Sequence, residues 1–72
     1  MDQFTLEFYV ENAGFRNQDE TLSLMEVGLA LSEVAGKLMQ GQEDGDVYDK
    51  NGNSVGRFKF SFPPLRKDLR NY

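Results

Sequence analysis

The chain has 72 residues, 39% of them hydrophobic, with no cysteine, no histidine and a formal net charge of −4. A chain of this length makes one domain near the lower limit for a hydrophobic core, because it buries only about 60% of the surface its unfolded form exposes. Without cysteine there is no disulfide or thiolate–metal support; without histidine as well, the commonest general base and soft nucleophile are both missing, which argues against an enzyme.

The N-terminal stretch "MDQFTLEFYV" begins with an acid and alternates polar with apolar residues. Phe4, Leu6, Phe8 and Val10 fall on one face and Thr5, Glu7 and Tyr9 on the other, the period of a half-buried strand. A signal peptide would open with basic residues and a continuous apolar run. No apolar run approaches the roughly 20 residues of a membrane-spanning helix. These features predict a soluble, cytoplasmic protein with no membrane partner.

Residues 11–17 read as a loop. Asn17, with Glu20 three positions on, has the pattern of a capping box and predicts the start of a helix. Leu24, Val27, Leu31, Val34 and Leu38 then recur at intervals of three and four, an apolar stripe expected to face the core. Glu26, Glu33 and Lys37 lie opposite, and Gly41 is a suitable stop. Gly28, Ser32 and Gly36 form a row of small residues. Each internal glycine costs about 1 kcal/mol relative to alanine, so close packing should compensate. The bulky phenylalanines of the sheet are the expected neighbour, and a second helix across a dimer interface is the alternative. Leu22, Met25 and Leu29 are more apolar surface than a small sheet can cover, and they are the leading candidate for a protein contact.

A short second strand is expected from about residue 46 to 49 and a third from 54 to 62. Phe58, Phe60 and Phe62 share one face of the third strand, with Arg57 and Lys59 on the other. Pro63 and Pro64 end it, since proline cannot donate to a strand ladder. The division is a domain over 1–64 and a basic tail over 65–72. The fold expected is α+β: one βαββ unit, its mostly antiparallel sheet ordered 1-3-2, with the helix on one face. The central place of the third strand follows from matching Glu7 with Arg57 or Lys59 across neighbouring strands. The opposite sheet face, with Tyr9, Arg57 and Lys59, stays open, so a partner or a homodimer is expected.

"DKNGN" at 49–53 places oxygen side chains at alternate positions, as the opening of a calcium loop would. Counted from Asp49, however, Ser54 stands where an EF-hand needs glycine and Phe60 where it needs glutamate. A turn fits better: either a three-residue loop with Gly52 in the left-handed position, or a two-residue Asn51-Gly52 turn. The choice decides whether Val47 or Tyr48 joins the phenylalanine face. Glu43, Asp44 and Asp46 read as a solvated charge run. No metal site, cofactor motif or catalytic constellation is expected.

Charge divides sharply: residues 1–56 carry −8 and residues 57–72 carry +4. Arg57, Lys59, Arg66, Lys67 and Arg70 could meet phosphates, with Tyr9 as a stacking platform, which makes nucleic-acid binding the alternative function. The acidic remainder would repel a polyanion. Asn12, Ala13 and Phe15 after the first strand, the glycine-terminated helix, and the turn "D-x-NGN-x-VG" at 49–56 together resemble small proteins encoded by phages, prophages and mobile elements. That resemblance implies an accessory protein that binds or inhibits a host protein. The function expected is a non-enzymatic protein-binding module, with Leu22, Met25, Leu29, Tyr9, Arg57 and Lys59 as its contact residues.

Overall fold

The alternation around Phe4 becomes strand β1, Gln3–Phe8, and helix α1 spans Leu24–Met39. Strands β2, Asp44–Tyr48, and β3, Ser54–Ser61, form the hairpin. In this computed structural model residues 2–62 are described; the Pro63–Pro64 stop and the basic tail lie outside them. β3 is central and antiparallel to both neighbours, giving the order β1-β3-β2 with α1 packed on one face. Glu7 stands opposite Arg57 and Thr5 opposite Lys59, the pairing expected from charge matching.

Phe15, Ala30, Val34, Val47 and Phe58 are the buried core, with Leu6, Phe8, Val10, Val27 and Leu38 packed partly against it. The phenylalanine face of the sheet therefore does point toward the helix. Phe58 is fully buried, while Phe4 and Phe60, whose rings are 4.9 Å apart, remain over one-third exposed at the end of the sheet.

The hairpin resolves as a three-residue loop. The Asp49 N–H donates to the Asn53 carbonyl and the Gly52 N–H to the Asp49 carbonyl, with Gly52 at φ +83°. The register shifts just before it: Val47 faces Gly56 while Tyr48 faces Ser54, so Val55 is a bulged extra residue. That shift seats Val47 beside Phe58 and leaves Tyr48 outside.

Three helical expectations are corrected. Asn17 and Glu20 do not cap α1. They build a separate loop in which the Asn17 N–H donates to the Thr21 carbonyl and the Glu20 N–H to the Asn17 carbonyl. The cap is Ser23, whose hydroxyl accepts from the Glu26 N–H at 3.2 Å. The second correction concerns register. The core side of α1 is Val27, Ala30, Val34 and Leu38, whereas Leu24 is 76% and Leu31 41% exposed. Third, the row of small residues does not pack on the phenylalanines. A Cβ added at Gly28 or Gly36 would meet nothing within 4 Å. Gly41 does stop the helix, at φ +88°: its N–H reaches the Leu38 carbonyl and that of Gln42 the Lys37 carbonyl, a Schellman closure.

Candidate functional site

Three features were candidates from sequence: the "DKNGN" corner, the open sheet face and the helix flank. Each is explained to a different degree by contacts within the chain.

The corner is the most fully explained. Asp49 is buried, and one carboxylate oxygen accepts the backbone N–H groups of Asn51 and Asn53, both at 2.9 Å. The other accepts from the side-chain amide of Asn12. Asn12 precedes the 3-10 turn Ala13–Phe15, so the two sequence motifs read separately meet across the fold. Gly14 completes the fit, since a Cβ there would lie 2.5 Å from the Asp49 carboxylate. The Asn53 N–H foremost, with the amides of Asn53, Asn51 and Asn12, holds the Asp49 carboxyl below its ordinary pKa, against an opposing effect of burial. This carboxylate ties a hairpin to a loop. Among the described residues no group of three or more acidic, histidine or cysteine side chains is placed to hold a metal ion.

The open sheet face carries Thr5, Glu7, Tyr9, Arg57 and Lys59 around an open depression of about 410 Å³. Register puts acids on both sides of the basic strand. Arg57 lies between Glu7 and Asp46 and makes a 2.7 Å ion pair with Asp46, and Lys59 stands opposite Asp44. The cations that would recognise phosphate are thus matched by carboxylates of neighbouring strands. Tyr9 is 67% exposed beside them. Arg66, Lys67 and Arg70, the remaining residues of the expected nucleic-acid surface, lie outside the described residues.

The helix flank is explained least. The charged residues of α1 share one side, seven and four positions apart, and Lys37 bends from there to the sheet edge. Its ammonium donates to the Asp46 carbonyl at 3.0 Å and sits 5.0 Å from the centre of the Tyr48 ring. That lysine covers part of the β2 edge. Ion pairing with Glu33 at 4.0 Å keeps the group on this flank. The outward face is left without any ionised side chain. Met25, Leu29 and Met39 are 71%, 56% and 84% exposed there, beside Leu24 and around the row of Gly28, Ser32 and Gly36. Leu22 stands apart from this face, in the loop, where it forms an isolated bridge with Arg16.

Sequence reasoning selected Met25 and Leu29 but missed Leu24 and Met39. The signal for Met39 is a second stripe of apolar and small residues, since Met25, Gly28, Ser32, Ala35 and Met39 also recur at intervals of three and four; Leu24 lies on the first stripe, and only the fold shows it exposed. No helix among the described residues is long and apolar enough to cross a membrane. No family model, curated protein or solved structure matches the chain.

Proposed function

We propose that this chain is a non-enzymatic protein-binding module that docks through the outward face of α1. The observation carrying the reading is the exposure of Leu24, Met25, Leu29 and Met39 on a face without a charge. A helix of 16 residues is about 24 Å long, so its outward half presents on the order of 400 Å². Exposed apolar patches of that size on soluble monomers are commonly functional. The resemblance to phage and mobile-element proteins fits the same role, an accessory protein acting on a host or phage protein.

Capture from a cell lysate with and without nuclease tests the reading. A partner retained after nuclease and lost with Met25→Lys supports it; nuclease-sensitive capture unaffected by Met25→Lys removes it. The nucleic-acid reading is weakened by the Arg57–Asp46 pair, which already occupies the best-placed guanidinium. It requires a salt-dependent gel shift that Arg57→Ala and Lys59→Ala diminish.

A further inference from the structure

We infer that the occupant of the α1 face is a second copy of this chain, packed antiparallel about a two-fold axis at Ser32. The inference rests on the reading of α1 as a docking face and adds the identity of the partner. Three independent observations carry it.

The first is the symmetry of the residues. Counting outward from Ser32, four positions in either direction reach Gly28 and Gly36, and seven reach Met25 and Met39. A two-fold axis perpendicular to an antiparallel helix pair brings equal and opposite offsets to the same height. Glycine height then coincides with glycine height and methionine height with methionine height. At the centre the backbones can approach to the short end of the usual 8–10 Å interaxial range. The flexible methionines close the two ends, filling irregular space well.

The second is electrostatic. Each copy carries a net charge of −4, so an interface between copies must exclude the acids. Glu26 and Glu33 lie on the flank that leads to β2, with Lys37 beside Glu33. The outward face has no ion to desolvate, so a copy of itself is an electrostatically neutral match there.

The third is the size of the core. Five apolar residues are buried among the described residues, while ten large apolar side chains are exposed. A cysteine-free domain this small gains from any supplement to its core, and association is one route to it. A second copy is present wherever the chain is made, so it can add to the stability of the folded monomer by mass action. Two such faces bury about 800 Å² in total, below the usual range of specific stable interfaces, so the pair expected is a weak, reversible dimer.

The absence of cysteine allows a direct test with the full chain. Ser32→Cys introduces a single thiol at the axis, and Lys50→Cys places one in the remote turn. Disulfide formation requires Cα atoms within about 7 Å, so Ser32→Cys should cross-link at least about tenfold faster than Lys50→Cys under mild oxidation. Ser32→Glu, which sets two carboxylates against each other, should sediment as a monomer with an unchanged circular dichroism spectrum at concentrations where the wild type is dimeric. Equal cross-linking rates, or wild type that sediments as a monomer throughout, overturn the second copy. If Met25→Lys also retains every captured partner, the docking reading falls with it; if it loses one, only the second copy does.

Discussion

Gly14 and Gly56 sit where a side chain has no room, while Gly28 and Gly36 sit where nothing surrounds them. A Cβ on Gly56 would collide with the Glu7 carbonyl and with Phe8, and one on Gly14 with Asp49. The helical pair would touch nothing within 4 Å. In the sheet and the corner, therefore, the fold of one chain explains why the residue is glycine. On α1 it does not, although each glycine there makes the helix less stable. A residue that weakens its own element without an internal reason points to a contact outside the chain.

The largest effect expected is at the crowded end of this comparison. Gly56→Ala forces β1 away from β3 and should cost about 3 kcal/mol or more, enough to unfold much of so small a domain, as read by denaturant titration. Gly14→Ala meets a side chain instead of backbone and should cost about 1–3 kcal/mol. If Gly28→Ala cost as much as either, the contrast between the two regions would be lost.

Acid titration probes the same corner. The folded-state pKa of Asp49 is depressed, so its contribution to stability is complete above the unfolded carboxylate value near 4 and lost as pH falls through the folded value. Asp19, held low chiefly by the Thr21 hydroxyl, acts with the same sign. Asp49→Asn should lower the melting temperature at neutral pH and flatten its decline below pH ~4. An unchanged acid profile would place the tie between hairpin and loop elsewhere.

The smallest effect sharpens the argument from glycine in the opposite direction. The loops 17–21 and 49–53 share one hydrogen-bond pattern, yet the left-handed position is Gly52 in one and Glu20, at φ +68°, in the other. Glu20→Gly should therefore raise stability by about 1 kcal/mol, seen as a higher thermal midpoint.

These residues also show what could be read in advance. Strand order was legible because a sheet face repeats every second residue and its outer charges had only one good pairing, Glu7 with the basic strand. That 49–53 is a turn was legible through Gly52, but its length, and with it the choice of Val47 over Tyr48 for the core face, was not. Helix register was not, because α1 carries apolar residues around most of its circumference. With two stripes of equal spacing, Leu24 and Leu31 looked as good a core as Ala30. The cap was misplaced for a similar reason: Asn17–Glu20 and Ser23–Glu26 both have the cap spacing, and only the fold shows that the Ser23 N–H is taken by the Phe15 carbonyl. The exposed apolar face of α1 suffered most, since periodicity marks an apolar stripe without saying whether it turns toward the sheet or away.

The most direct measurement is the thermal midpoint of the double variant Gly28→Ala, Gly36→Ala against wild type, at protein concentrations from about 5 to about 500 µM. Alanine should stabilise the isolated helix by about 1 kcal/mol at each site and so raise the midpoint at the dilute end. It should also hold two helices apart, so the rise of midpoint with concentration seen for wild type should shrink or vanish in the variant. A wild-type midpoint independent of concentration, with the variant more stable by the same margin throughout, would contradict association through α1.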